Sequence, residues 1–415
     1  MKIKEVKLLF VYSELTSYFK LRNNSYKGNN MWEKKTIREL PPPRTIKIWH
    51  WLCIMLFVFV CSLLSIIFIF PLQVNNNTLF IVILFCITSV ITGILFSVRV
   101  FTYYLTLEKV KTWDEQIKFY DKQWQQWSMQ SLAVLNSVII TPLNSSVDDF
   151  LTNQGEMKYA ANKAFSFDNN DQNLYLEFYE WIFANLADSL ELIDPKCVLT
   201  VILFSFPGEK TEKENLIRKA YKLINGNLTI EFLHESTLSK EPFNFDTLID
   251  DENPGLYLII TDNTETTESS QFITALLLAN ESLYENRTHL NPQSYILRSM
   301  LTTENEYPAA IAQMHEIQPE FSVIKQIWYS QIDQKIVTKI QILLSDYGIK
   351  LNEVDSPNSH LLDTYLGYPN KTIGYWLVLA FTAQAASRTQ QTQLMATSIM
   401  DKLLLTTVTS SLNNN

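Results

Sequence analysis

The stretch Ile48–Phe70, IWHWLCIMLFVFVCSLLSIIFIF, contains no Lys, Arg, Asp or Glu. A second uncharged stretch, Leu79–Val98, LFIVILFCITSVITGILFSV, follows Pro71 and an Asn-rich turn. Each has roughly 20 residues, and a helix of that length, at about 1.5 Å per residue, crosses a hydrocarbon core of about 30 Å. The sequence therefore predicts a two-helix transmembrane hairpin over residues 48–98.

Basic residues predict the orientation of this hairpin. Eleven Lys and Arg precede the first helix, Arg99, Lys109 and Lys111 follow the second, and the connecting turn has none. Lys and Arg are enriched on the cytoplasmic side of membrane proteins. We therefore expect a two-pass protein with both termini in the cytoplasm.

The remaining charge is strongly acidic. The whole chain carries −9 and residues 1–99 carry +8, which leaves −17 for residues 100–415. Phosphate contacts require clustered Lys and Arg, so no nucleic-acid partner is expected, and the lipid bilayer is contacted by the hairpin and its basic arm. The predicted organisation is an arm (1–47), the hairpin (48–98), a helical stalk (99–130), an α/β domain (131–355) and a C-terminal helix with a strand pair (356–415).

An aromatic stripe marks the predicted stalk. Its members recur with spacings of three and four, which predicts one face of a helix: Val110, Trp113, Ile117, Tyr120, Trp124 and Trp127. Bulky aromatics fit poorly in a two-stranded coiled coil, so packing against the protein's own domain is favoured. A groove on a partner protein and self-association are the alternatives.

Small residues recur every four positions in the second apolar helix, at Ser89, Gly93 and Ser97. Small side chains let transmembrane helices approach closely. We expect these residues to pack the two helices of the hairpin together, and dimerisation in the membrane is the alternative.

Strand-like and helix-like segments alternate after residue 130. Strands are predicted at 132–141, 197–206, 228–233 and 255–261, and a strand pair at 393–410. Helices are predicted at 173–192, 212–224, 269–284, 307–316, 320–348 and 373–387, with a linker at 356–367. Such alternation predicts an α/β fold with a mostly parallel or mixed sheet.

Catalytic motifs are missing from the sequence. Only nine glycines occur, and there is no phosphate-binding glycine loop, no G-x-S-x-G turn and no paired metal-ligand motif. We therefore predict no catalytic, cofactor-binding or metal-binding residue and no cofactor. The alternative is an enzyme whose site is assembled from scattered residues, around His234, His315 and His360.

The segment His360–Trp376, HLLDTYLGYPNKTIGYW, combines Gly367, Pro369 and Gly374 with several aromatics. This composition is found in binding loops. A structural turn before the last helix is the favoured interpretation.

The order of several short motifs resembles a family of two-pass inner-membrane proteins encoded beside type VI secretion clusters of Gram-negative bacteria. The motifs are Leu40–Pro43, Tyr103-Tyr104, Trp113–Glu115, Trp124–Trp127, Ser131–Leu135, Leu366–Pro369 and Gly374–Leu377. The resemblance implies a bacterial inner-membrane location and a start at Met31, which would make residues 1–30 a gene-model extension. It carries no functional residue over to this chain.

The end of the chain resembles thiolase-like domains, in that a Gly-containing turn, the Ala-rich helix around Leu379–Ala386 and a strand pair follow one another. The reactive residues of those enzymes are missing, so this likeness implies a degenerate fold. The leading hypothesis is a non-catalytic, membrane-anchored accessory or scaffold of an envelope assembly, bound to membrane or secretion-machine proteins, with a homodimer as one option. The competing hypothesis is a membrane-bound enzyme.

Overall fold

The computed structural model describes residues 32, 34–69, 77–152, 157–167, 174–205, 210–233, 245–285, 289–353 and 356–412. The chain divides into two compact units. One is Lys35–Gln123, and the other combines Met1–Lys34 with Trp124–Asn415. The predicted extension 1–30 and His234 lie outside the described residues.

The first unit is built on two helices, α1 (Ile48–Ile69) and α2 (Asn77–Met129), of which α2 continues into the second unit. Edge-to-face aromatic contacts join them, Trp51 with Phe96 and Phe59 with Phe85, at centroid distances of 5.4 Å. Among the described residues, one helix, Ile81–Met129, is long and apolar enough to cross a membrane. The apolar part of α1 in that comparison is the shorter Ile48–Leu64.

The predicted small-residue stripe does not form the contact between these helices. Gly93 and Ser97 are exposed, and nothing lies within 4 Å of a Cβ placed on Gly93. Ser89 is half-buried, whereas Thr88 and Thr92, one position earlier and three later, are buried. Packing is therefore made by the threonine face, and dimerisation through Gly93 stays a prediction.

The second unit is a mixed α/β structure, as its alternating segments predict. Its helices are α3 (Val147–Thr152), α4 (Leu174–Glu191), α5 (Lys210–Leu223), α6 (Asp246–Ile249), α7 (Glu281–Tyr284), α8 (Tyr307–Ile317), α9 (Gln334–Asp346), α10 (Asp363–Leu366) and α11 (Tyr375–Thr389). Its strands are β1 (Ser131–Ile140), β2 (Val198–Phe204), β3 (Thr229–Leu233), β4 (Leu256–Asp262), β5 (Ile273–Asn280), β6 (Ser294–Leu297), β7 (Met300–Thr302), β8 (Gln326–Ser330), β9 (Asn352–Glu353), β10 (Ser356–Pro357), β11 (Ser359–Leu361), β12 (Gln393–Ile399) and β13 (Lys402–Thr409).

An eleven-stranded sheet runs through this unit in the order β11-β8-β12-β13-β6-β1-β5-β4-β2-β3, with β7 on β13. Strands β2, β3 and β4 form a parallel group at one end, and β8, β11 and β12 form another at the opposite end. The central pairings are antiparallel. The sheet is therefore mixed rather than mostly parallel.

Helices cover both faces of the sheet. Helices α3, α6 and α11 share one apolar cluster with β1, β4 and β5, and α4 and α5 share a second cluster on the other face. Helices α8 and α9 pack on β8, β12 and β13 in a third cluster. Ten residues of α11, from Tyr375 to Ala386, are buried, which makes it the central helix of the unit.

Three predicted segments are wrong. Most of the predicted helix 269–284 is the strand β5 (Ile273–Asn280), and only its last four residues, α7, are helical. The Leu and Ala residues of β5 are good helix formers, but they are buried on both faces of the sheet. The predicted helix 320–348 is interrupted by the fully buried strand β8. The predicted linker 356–367 instead contributes β10, β11 and α10.

Candidate functional site

A small pocket lies where several strands end. Its lining includes Thr141 after β1, Ser330 at the end of β8, Asp363 after β11 and Ser270 in the turn between β4 and β5. Gly374, the residue before α11, completes the polar side. The cavity measures about 20 Å³, enough for a water-sized group. Ligand sites of α/β proteins often lie outside the carboxyl ends of strands.

The floor of this pocket is a hydroxyl–carboxylate pair. Ser330 Oγ donates a hydrogen bond of 2.5 Å to Asp363 Oδ1, and the Gln331 backbone N–H donates to Asp363 Oδ2 at 2.7 Å. Ser330 is buried and Asp363 is half-buried. Burial raises the pKa of Asp363, although both hydrogen bonds act in the opposite direction. The carboxylate is therefore a stronger base than an exposed aspartate.

A pair of asparagines connects the pocket lining, at Asn370, with the buried Asn263. Asn370 Nδ2 donates to Asn263 Oδ1 at 2.7 Å, and Gln331 Nε2 donates to the Asn370 carbonyl at 2.8 Å. Asn263 is fully buried and follows β4 directly. This network joins the loop before α11 to both the β4–β5 turn and the end of β8, so it fixes the pocket wall.

Gly367 is required by the backbone of this wall. Its φ is +84°, and an added Cβ would lie 2.2 Å from the Lys163 carbonyl oxygen and 2.6 Å from Ser270 Oγ. The adjacent Tyr368 N–H donates to the same carbonyl at 2.8 Å. A larger residue would push these two segments apart, because the closest neighbour is backbone.

A second buried cluster of charged residues lies at the end of β4. Asp262, fully buried, accepts a 2.5 Å hydrogen bond from Tyr179, and its Oδ2 lies 3.3 Å from Lys213 Nζ. Lys213 also forms an ion pair with Glu265. Burial alone would lower the pKa of Lys213, but Asp262 and Glu265 raise it above its ordinary value. The lysine therefore stays charged and is a structural cation rather than a nucleophile.

Of the histidines of the enzyme hypothesis, the two described ones, His315 and His360, lie against different aromatic residues. His315 stacks on Tyr347, with centroids 4.5 Å apart, whereas His360 stacks on Trp328 at 4.2 Å. Burial lowers the pKa of His360 to about 4. Within the described ranges no group of three His, Cys, Asp or Glu could hold a metal ion.

The aromatic stripe contacts other parts of the protein's own chain at Trp113 and Trp127. In the first unit, Trp113 Nε1 donates to the Arg38 carbonyl at 3.1 Å, and Ile117 and Tyr120 are half-buried. In the second unit, the Trp124 and Trp127 rings are 5.1 Å apart. Their role as a partner surface stays a prediction.

Trp127 is held from two sides. The Trp32 ring meets it edge to face at 5.5 Å, and the Arg298 guanidinium lies 4.5 Å from the indole centroid. Arg298, fully buried, also donates to the Trp127 carbonyl and forms an ion pair with Asp250. This end of α2 therefore packs within the second unit.

Sequence reasoning missed Ser330, Asp363, Asn370 and Asn263. Asp363 and Asn370 lie within the segment His360–Trp376, but Asn263 and Ser330 come from distant parts of the chain, and the four match no motif, so no spacing rule could group them. The signal that pointed to the site was the Gly367–Pro369–Gly374 composition, which we interpreted as a structural turn. That segment does turn the chain into α11, and it also lines the pocket.

No family model matches the chain, and no curated protein matches it. Solved structures with similarity include a type II PKS acyl-carrier protein in complex with its ketosynthase, at 11% identity and a TM-score of 0.44, covering 68% of this chain and 99% of that one. A ketosynthase of the bacillaene polyketide synthase of Bacillus amyloliquefaciens matches at 7% identity and 0.44, covering 69% and 74%. Human mitochondrial 3-ketoacyl-CoA thiolase matches at 6% identity and 0.40, covering 68% and 100%. At these scores the likeness assigns no reaction or substrate to this chain.

These comparisons correct the leading hypothesis. A non-catalytic scaffold of a type VI secretion assembly was expected, whereas the structures similar to the chain are ketosynthases and a thiolase, which are enzymes. The comparisons do not bear on the resemblance to the two-pass inner-membrane family, which stays a prediction.

Proposed function

We propose that this chain is a membrane-anchored enzyme with an acyl-transfer or acyl-hydrolysis site in its α/β unit. The single observation that supports the proposal is the 2.5 Å contact between Ser330 Oγ and Asp363 in the pocket. A nucleophile and a base within hydrogen-bond reach, with the base oriented by a third group, form the arrangement that nucleophilic catalysis requires. Here the Gln331 N–H is the orienting group.

The chemistry follows from these atoms. Ser330 Oγ would attack the carbonyl carbon of the acyl group, and its proton would pass to Asp363. The proton would then move to the leaving group as the carbon–leaving-group bond breaks, which leaves an acyl-serine. The 15-residue helix α11 begins at the pocket, and the partial positive charge at its amino end favours the negative oxygen of the intermediate.

The pocket restricts what can enter. A cavity of about 20 Å³ admits only the reactive end of a substrate. The outer lining is largely apolar, and Leu143 and Tyr368 are exposed there. We therefore expect a short acyl group attached to a leaving group that stays outside.

Membrane anchoring is part of the proposal. Many apolar side chains of α1 and α2 are exposed, such as Trp49 (77%), Phe57 (69%) and Val90 (62%). Exposed apolar surface of this extent is typical of lipid contact. Together with the basic residues on both flanks, it supports a two-pass anchor with the α/β unit in the cytoplasm.

A serine-reactive fluorophosphonate tests the site. The full chain in lipid nanodiscs is incubated with the probe, and labelled residues are mapped by mass spectrometry. We expect labelling at Ser330 and a roughly 10²–10⁴-fold slower reaction in Asp363→Asn, because the general base is removed.

The chain supplies its own control. Ser146 Oγ also donates to an aspartate, Asp149 Oδ2, at 2.9 Å, but that pair is exposed at the start of α3. Asp149→Asn should leave Ser330 labelling unchanged. Labelling of Ser146 and Ser330 at equal rates, or no labelling of Ser330 in a folded protein, would refute the proposal.

A further inference from the structure

The arm before α1 contains Leu40-Pro41-Pro42-Pro43. Each proline fixes φ near about −65°, and a residue that precedes proline is restricted to extended or polyproline II backbone. Residues 34–47 contain no helix or strand. The local sequence therefore favours a polyproline II helix, which has about three residues per turn.

The burial of the arm repeats with that period. Ile37, Leu40, Pro43 and Ile46 are half-buried, and every residue between them is exposed. A strand would bury alternate residues and an α-helix would repeat near 3.6. A period of three means that one edge of a polyproline II helix rests against another element.

That element is the aromatic stripe. Trp113 Nε1 donates a 3.1 Å hydrogen bond to the Arg38 carbonyl, directly beside the half-buried Ile37. Trp113, Ile117 and Tyr120 are half-buried, whereas Lys118 and Phe119 between them are exposed. Aromatic grooves recognise polyproline II segments in this way, because the backbone carbonyls of such a segment have no internal hydrogen bonds.

We infer that Trp113, Ile117 and Tyr120 form a groove for a polyproline II helix, and that its ligand is residues 35–47 of the same chain. The groove is then occupied intramolecularly and closed to a proline-rich segment of another protein. This inference corresponds to the alternative in which the stripe packs against the protein's own chain rather than against a partner or a second copy.

Site-specific photocrosslinking tests this inference independently of the proposed enzyme activity. The photoreactive residue p-benzoylphenylalanine replaces Leu40 in one variant and the exposed neighbour Glu39 in a matched control. Both are illuminated in nanodiscs, and adducts are mapped by mass spectrometry. We expect adducts between position 40 and residues 110–120 at least five-fold above those from position 39.

Mixing isotopically heavy and light copies before reconstitution shows whether the groove holds the arm of its own copy or the arm of another copy. Adducts only within one copy support the inference, and adducts between heavy and light copies would overturn it in favour of an exchanged arm. Equal yields from positions 39 and 40 would overturn the groove itself. Trp113→Ala should lower the position-40 yield, while the unfolding transition of the α/β unit reports that each variant is folded.

Discussion

Two carboxylates, the fully buried Asp262 and the half-buried Asp363, lie in the same unit but have different partners. Asp262 has a cation, Lys213, and a phenol, Tyr179. Asp363 has a hydroxyl and a backbone N–H, and among the described residues no ion pair reaches it. A carboxylate that is paired with a cation stabilises a fold, whereas a carboxylate without a paired cation can accept a proton as a base. This difference separates a structural cluster from a reactive site.

Removing the Lys213 cation should produce the largest change in the free energy of unfolding. Lys213→Met removes the cation from the fully buried Asp262 and from the half-buried Glu265. Because the Asp262 charge is then uncompensated, we expect a loss of about 3–5 kcal/mol in the free energy of unfolding. Chemical denaturation monitored by tryptophan fluorescence measures it. Lys196→Met, at an exposed lysine, should change the value by less than about 0.5 kcal/mol. Equal effects would show that the cluster contributes no stability.

Acid should destabilise the unit through His360. Its pKa is lowered from 6.5 to about 4 by burial, so the unfolded chain binds a proton in that interval and the folded chain does not. Stability is therefore lost as the pH falls from 6.5 towards 4, by about 3 kcal/mol. His360→Phe keeps an aromatic ring against Trp328 and should reduce this loss. An identical pH dependence in both proteins would contradict the assignment.

Two glycines with positive φ offer a matched pair, Gly367 in the pocket lining and Gly348 outside it. Gly348 has a φ of +78°, and nothing lies within 4 Å of an added Cβ. Gly348→Ala should therefore cost only the backbone strain of about 1–2 kcal/mol. Gly367→Ala adds the clash with the Lys163 carbonyl, and we expect a further loss of about 1–3 kcal/mol together with slower Ser330 labelling. If the two variants had equal stability, the close approach at Gly367 would not be needed.

The smallest effect on stability is expected at Asp363. A carboxylate whose pKa is raised by burial binds its proton more tightly in the folded state, so its contribution falls as the pH rises above about 4. Asp363→Asn should remove this slope and change stability at pH 7 by no more than about 1 kcal/mol. Urea titrations at several pH values measure it. A large loss would assign Asp363 to the structural class of Asp262.

Much of the fold could be predicted from sequence where one physical signal dominated. The runs that became β2 and β4 are continuously apolar, and α11 follows a Gly-containing turn. The prediction for β5, ITALLLAN, was wrong because these residues favour a helix locally, whereas their place in the centre of the sheet makes them a strand. The strand β8 was not predicted because the residues on both sides of it, 320–325 and 331–348, were interpreted as parts of one long helix.

The site was harder to predict than the fold. Ser330 and Asp363 are 33 residues apart, and they meet only because β8 and β11 are neighbouring parallel strands. Neither belongs to a motif with fixed spacing. The topology of the sheet, rather than the local sequence, brings the two side chains together.

The pH dependence of Ser330 labelling tests the proposed reaction most directly. The rate of fluorophosphonate attachment is measured in nanodiscs from pH 4 to 9 for the unaltered protein and for Asp363→Asn. If Asp363 is the base, the rate rises through a pKa above the ordinary value of an aspartate and then levels off, and the variant loses this step. A rate that is the same in both proteins, or that rises only with hydroxide concentration, would contradict a catalytic role for the pair.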